Sequence, residues 1–221
     1  EFGNQRSLQK HEANAIHTQG VSFAIRGDYP AAIDYTIEAL ELRREIGDSS
    51  GIMRSFINLS NLYDLTAQYD RALDLNFENL ALQRKAGDEK GMAITYGNLA
   101  KLYRVKGNIV QAVKYYETAL STFEKINDKK GIIIATSNIG GLYFDLKEYK
   151  DALEYYMKAY RLQDGLPDPM AMIRHTNNIG AAYKDMNQDS ISRIWLERSL
   201  AISDSIGNKD GYASALRNLG T

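Results

Sequence analysis

Asn58, Asn98, Asn138, Asn178 and Asn218 stand 40 residues apart along this chain. A carboxamide offers one acceptor and two donors, so it can bond the amide and carbonyl of an extended peptide without reading its side chains. Supplied once per period, such groups would form a ladder for a partner's backbone. The same group set between two helices would instead tie one period to the next through a backbone carbonyl. The spacing alone leaves both readings open. Other chemistry finds little support. The histidines are His11, His17 and His175, and a six-residue gap puts the first two on different helical faces, which argues against a metal site. His175 is expected to cap or pack. The chain lacks a glycine-rich phosphate loop, HExxH and G-x-S-x-G. Its acidic residues scatter over helix surfaces. No catalytic, metal or cofactor site is expected.

The elements that carry the asparagines repeat with them. Leu59, Leu99, Ile139, Ile179 and Leu219 follow, then the small residues Ser60, Ala100, Gly140, Gly180 and Gly220, and three further on Tyr63, Tyr103, Tyr143 and Tyr183. Gly20 and Phe23 set an earlier copy one period upstream, with Thr18 in place of asparagine. A fixed period in the range of roughly 20–50 residues marks a repeat array. In residues 93–132, Tyr96, Leu99, Ala100, Leu102 and Tyr103 recur at helical spacing, Lys106-Gly107-Asn108 reads as a turn, and Ala112, Val113, Tyr116, Ala119, Leu120 and Phe123 again recur as one helical face. No segment alternates as a half-buried strand would.

The joints between copies hold Gly47-Asp48, Gly87-Asp88, Asn127-Asp128 and Gly207-Asn208, with Pro167-Asp168-Pro169 in the fourth. Glycine or asparagine can take the left-handed conformation that ends a helix, and the acid or amide can cap the next. So short a joint predicts consecutive antiparallel helices in contact. Small residues mark where they approach: Ala32, Ala72, Ala112, Ala152 and Ser192 form one column, and Gly20, Ser60, Ala100, Gly140 and Gly180 its partner. The tyrosines fall largely in columns too, with Trp195 completing one of them, which is the pattern of packing between helices.

Composition narrows the function classes. A net charge of −1 from 27 basic and 28 acidic residues argues against direct nucleic-acid binding or attraction to an anionic membrane. The absence of cysteine removes disulfides, thiolate zinc sites and cysteine nucleophiles. No apolar run approaches the ~20 residues of a membrane helix, so insertion is not expected. Compartment is not legible: cytoplasmic is the default, extracytoplasmic if a signal peptide was removed.

These columns resemble the tetratricopeptide repeat, whose pattern W-x₂-L-G-x₂-Y…A-x₃-F is answered in the fourth copy by Thr136, Ile139, Gly140, Tyr143, Ala152 and Tyr156. The period is 40, not about 34. It is similar to the long-repeat branch of kinesin light chain, the Leu-Gly-Asn-rich polarity adaptor and the repeat regions of bacterial signalling proteins. The tryptophan slot holds Ile16, Phe56, Tyr96, Thr136 and Thr176, and the closing proline is missing from most copies. The resemblance implies an all-α, right-handed superhelical solenoid of antiparallel helix pairs. It would be a single domain over 1–221, with full repeats near 13–52, 53–92, 93–132, 133–172 and 173–212 and a partial sixth at 213–221. A sixth unit begun but not finished suggests a fragment of a longer protein.

In such a solenoid the first helix of each pair lines a concave groove where ligand peptides lie. Carried onto this sequence, the groove set is Arg54, Asn58, Asn61, Asn98, Lys101, Arg104, Asn138, Arg174, Asn177, Asn178, Lys184 and Asn218, with Ser137 and Arg217 beside them. Its charge is more basic than acidic, which favours an acidic partner or a free C-terminal carboxylate. The expected function is a scaffold that binds a peptide or partner protein. The alternative is a sensory or regulatory segment of a signalling protein, such as a histidine kinase or transcriptional regulator. Self-association through open solenoid ends is a further expectation.

Overall fold

The computed structural model describes residues 2–220, so the outermost residues of the expected domain and of its partial sixth repeat lie outside the described residues. Among the described residues the chain forms eleven α-helices and no strand: α1 Phe2–Ile25, α2 Tyr29–Glu45, α3 Ser49–Leu65, α4 Tyr69–Ala86, α5 Glu89–Val105, α6 Ile109–Lys125, α7 Lys129–Asp145, α8 Tyr149–Gln163, α9 Pro169–Asp185, α10 Asp189–Ser205 and α11 Lys209–Leu219. They fall into two compact units, Glu1–Tyr115 and Tyr116–Thr221. In each unit helices adjacent in sequence pack together, α1 with α2, α2 with α3, α3 with α4 and α4 with α5 in the first, and α7 through α11 in the same manner in the second.

The small columns meet as expected. A β-carbon on Gly20 would stand 3.2 Å from the Ala32 carbonyl oxygen, and one on Gly140 3.2 Å from that of Ala152. Where serine occupies a column it bonds the facing backbone: Ser60 Oγ donates to Ala72 O at 3.4 Å and Ser192 Oγ to Gly180 O at 2.8 Å. The aromatic columns clip three of the pairs near their turns. Phe23 stacks on Tyr35, Tyr103 on Tyr115 and Tyr143 on Tyr155, at centroid distances of 5.1, 5.5 and 5.4 Å. Between pairs of the first unit, Leu40, Phe56, Leu59, Leu73, Leu80, Leu99 and Leu102 make a buried apolar seam. Each such side chain contributes about 1.5–3 kcal/mol by leaving water.

The joints use the left-handed residues that the sequence offers. Gly47, Gly87, Asn127 and Gly207 lie at φ 66, 68, 55 and 66°. Asp88, Asp128, Asp168 and Asn208 then accept from the amides of Gly91, Gly131, Ala171 and Gly211 at 2.8–3.1 Å. Asp48 departs from the pattern and makes no side-chain cap; its carboxylate is 3.6 Å from Lys10 Nζ instead. The turns inside pairs are less legible. Ala67, Lys147 and Asn187 take positive φ where only Gly27 and Gly107 announce a turn in sequence.

A second glycine column, three residues past each capping residue, lets helices cross in contact. A β-carbon on Gly131 would lie 2.1 Å from Cδ1 of Phe123, a ring only 6% exposed. Gly51, Gly91 and Gly211 lie under Arg43, Gln83 and Ser203 in the same way. In the fourth copy the place is taken by Ala171, and there the side chain of Gln163 turns off to donate to Leu166 O at 3.3 Å. Gly131→Ala should therefore cost about 1–3 kcal/mol through overpacking. Gly97, a helical glycine in α5 whose β-carbon would meet nothing within 4 Å, is the control. Its change to alanine should stabilise by about 0.5–1 kcal/mol. Denaturant melts of both variants check this, and equal midpoints would refute the close approach.

Candidate functional site

A helix turns about 100° per residue, so in α5 residues 94, 101 and 105 share a crest, with 98 on one shoulder and 97 and 104 on the other. Burial follows that geometry. Ile94, Lys101 and Val105 are exposed, while Asn98 and Arg104 are half-buried. In α3, Arg54, Asn61 and Leu65 are exposed and Asn58 is half-buried. In the second unit Asn138, Asn178 and Asn218 are again half-buried, with Arg174 and Lys184 exposed. The asparagines thus sit half-buried on helix shoulders, not on the crests. Asn177 is only 7% exposed, and its buried Oδ1 has no partner.

Two of the cations are engaged by the neighbouring first helix. Lys101 of α5 pairs with Asp64 of α3, and Lys184 of α9 donates to the Asn218 carbonyl of α11 at 2.5 Å. Exposed pairs of this kind contribute under about 1 kcal/mol, so a partner's carboxylate could compete for either cation. Among the described residues Arg54 makes no ion pair.

The asparagines differ in their bonding. Asn98, Asn138 and Asn178 make no side-chain hydrogen bond among the described residues, which leaves their carboxamides open to a partner. Asn58 is tied to the preceding pair: its carboxamide meets Nε2 of His17 in α1 at 2.9 Å. On the other side of that ring, Arg43 Nη1 in α2 stands 3.5 Å from Nδ1. Arginine can only donate. That Nη1 already donates to Ser55 and Gly51, so the shorter contact decides the pairing: Asn58 Nδ2 donates to Nε2. Burial holds the His17 pKa below its ordinary value, with Arg43 and then Arg54 adding to the effect.

Arg43 is itself wholly buried. It donates to Ser55 Oγ at 2.6 Å, to Asn14 Oδ1 at 3.0 Å and to Gly51 O at 3.3 Å. One period on, Gln83 fills its place and accepts from Thr95 Oγ1 at 2.9 Å. The sequence reading missed this buried polar rung. A regular trace of it exists: Arg43, Gln83 and Gln163 fall at multiples of the 40-residue period, each eight residues before the glycine column or its alanine substitute. It also missed the apolar share of the first-helix face. Ile25, Leu65 and Val105, again 40 apart, are 82, 62 and 49% exposed. Among the described residues no cluster of histidine and carboxylates could hold a metal ion, and no helix is long and apolar enough to cross a membrane.

This architecture has known counterparts. BtubC (BKLC) from P. vanneervenii shares it at TM-score 0.74 and 21% identity, over 92% of this chain and 90% of that one. The Rap conjugation gene regulator of plasmid pLS20, solved with the Phr* peptide, matches at TM-score 0.77 and 15% identity over 90% of this chain. NprR, solved with its cognate peptide NprX, matches at TM-score 0.69 and 16% identity over 86% of it. The chain spans 55% of each of the two peptide-bound proteins. At these identities the likeness is one of fold. A search of curated proteins gives no significant match. The family model for the tetratricopeptide repeat matches residues 11–85 and 91–164, most of the chain, and the protein belongs to the tetratricopeptide repeat family.

Proposed function

We propose that this protein is a non-enzymatic interaction module that binds a peptide or partner protein on the exposed face of its first helices. The observation that carries this reading is the set of half-buried carboxamides, Asn98, Asn138 and Asn178, that keep their hydrogen-bonding capacity unused at the same place in successive copies. Crest residues Arg54 and Lys101, with Arg104, Arg174 and Lys184, supply the flanking charge for an acidic partner, Asn61 adds a neutral carboxamide, and Leu65, Ile94 and Val105 supply apolar contact. Asn58 serves both roles at once, since one carboxamide can tie to His17 and still donate outward.

Asn98→Ala with Asn138→Ala tests it. Peptides selected from a random display library on the wild-type chain should lose roughly tenfold or more in affinity for the double variant, as expected for two lost hydrogen bonds. Its melting temperature should stay within a degree or two, because neither side chain has a partner to lose. A stability loss of about 1 kcal/mol per site with unchanged binding would mean that the asparagines only tie repeats together.

A second reading is a peptide-sensing segment of a larger signalling protein. The similarity to the peptide-bound regulator from pLS20 and to NprR favours it. The form of the ligand separates the two readings. A sensor takes a short free peptide with both termini exposed, whereas a scaffold takes an internal segment of a folded protein equally well. Self-association is tested by light scattering across a dilution series, where one monomeric mass throughout would remove it.

A further inference from the structure

The second helices carry a departure confined to the fifth copy. At one place on them stand Ile33, Leu73, Val113 and Leu153, and then Arg193. Ile33, Leu73 and Leu153 pack into the apolar clusters of their units, whereas Arg193 is exposed. One residue on, the order reverses. Asp34, Asp74, Lys114 and Glu154 are followed by Ile194, which is 64% exposed. A step of one residue is about 100° around a helix, so α10 has moved an apolar side chain from the packed flank to the outward face. Ile191, one turn earlier and 40% exposed, extends that face at the place of Ala31, Arg71, Gln111 and Asp151. Single exposed aliphatics are ordinary, but these two adjoin aromatic rings. Ile191 and Trp195, four apart, are neighbours on the helix surface, and Trp195 meets Tyr160 of α8 edge to face at 5.1 Å. Arg198 lies over both rings, 5.5 Å from the centroid of Tyr160 and 5.9 Å from that of Trp195. Among the described residues neither Arg193 nor Arg198 makes an ion pair. A guanidinium steadied by two rings keeps its fork of donors for a carboxylate, and loses little side-chain freedom when one binds.

We propose that the outward face of α10, with Tyr160 of α8, docks an amphipathic helix of a partner that carries a carboxylate beside its apolar stripe. Ile191, Ile194 and Arg198 follow the spacing of a ridge that another helix takes between its own ridges. The apolar stripe covers the two isoleucines and the rings, and the carboxylate meets Arg198. The surrounding charge selects the same partner. Glu154–Arg161 of α8 and Arg193–Arg198 of α10 hold the four cations Lys158, Arg161, Arg193 and Arg198 against the two carboxylates Glu154 and Glu197. This surface lies on the second helices, and its use does not depend on what the first-helix face binds.

Trp195 is the only tryptophan of the chain, so its fluorescence reports on the site directly. The probe is a peptide of three Glu-Leu-Ala-Glu-Leu-Leu-Ala heptads, titrated into the full 221-residue chain. It should change the Trp195 emission and saturate. The same peptide with lysine for every glutamate, and a peptide of the same composition in scrambled order, should leave the emission unchanged at equal concentration. Ile194→Glu puts an acid where α8 has Glu154, and it should weaken the probe roughly tenfold or more. Because Ile194 is exposed, the melting temperature of that variant should match the wild type, which separates lost docking from lost folding. Arg198→Gln should weaken the probe roughly tenfold, the loss expected for one charge-assisted hydrogen bond. An emission that ignores the glutamate peptide, an equal response to the lysine peptide, or full binding by Ile194→Glu would overturn the site. A scattering mass that doubles with concentration in the wild type but not in Ile194→Glu would assign the face to a second copy of the chain. An emission change on phosphatidylserine vesicles, with none on the glutamate peptide, would assign it to a lipid surface. Either result overturns the docking of a partner helix.

Discussion

Arg43→Ala should destabilise the first unit by about 3–5 kcal/mol, the cost of a large buried side chain plus the stranded partners of a buried charge. The truncation leaves a cavity where a fully enclosed guanidinium stood. It also leaves the Ser55 hydroxyl, the Asn14 carboxamide oxygen and the Gly51 carbonyl without their donor. None of these lies where water reaches freely: Ser55 and Gly51 are buried and Asn14 is half-buried. Arg43→Gln should cost less than half as much, because the next copy already uses glutamine in this place, with Thr95 as its partner. Urea melts of the two variants measure the difference. Equal losses would mean that only side-chain volume matters at this position, and that the hydrogen-bonded rung contributes nothing.

The second large effect is a dependence on pH. His175 in α9 is 3% exposed, and neither ring nitrogen has a hydrogen-bond partner. Burial, with Arg174 adding to it and Asp168 opposing, lowers its pKa from 6.5 to about 4. The sign follows from which state holds the proton. Between those two values the unfolded chain is protonated at this site and the folded chain is not, so the unfolded state binds more protons and stability falls as the pH falls. At about 1.4 kcal/mol for each pH unit of displacement, the loss reaches about 3 kcal/mol near pH 4 and levels off below it. Above pH 7 the term vanishes. Because carboxylates also titrate at the acid end, His175→Phe is the control: the ring is kept and the titration removed. The wild-type stability curve should drop more steeply than the variant's from pH 6.5 to 4. Parallel curves would show that His175 is reached by water in the folded state.

Most of the fold was legible because it is written five times. Local signals such as Gly87-Asp88 are weak singly, but at a fixed interval they fix the register, and register decides which faces meet. The columns at Ala32 and Gly20 needed no side-chain detail to assign, since only small residues let two helices come that close. The face carrying Asn98, Lys101 and Arg104 followed from the same register. What escaped were features that depend on contacts between copies with different side chains. Arg43, Gln83, Phe123, Gln163 and Ser203 share one position but not one chemistry, so no column of like residues drew attention to it. The tie between His17 and Asn58 exists once, at a place where the first copy lacks its own asparagine. Asp48 looks like every other cap in sequence, yet it faces Lys10, a residue 38 positions away whose side chain no local pattern could place beside it.

The central claim is that the first-helix asparagines and the crest beside them take the partner. Its most direct test is the set of side-chain NH₂ resonances of Asn58, Asn98, Asn138, Asn178 and Asn218, recorded as a peptide selected on the wild-type chain is added. On this account several of these pairs shift together, along with the backbone amides of Asn61 and Lys101, while the exposed second-helix residues Glu78, Glu154 and Arg193 stay still. Shifts confined to second helices, with all five carboxamides unmoved at saturation, would contradict it.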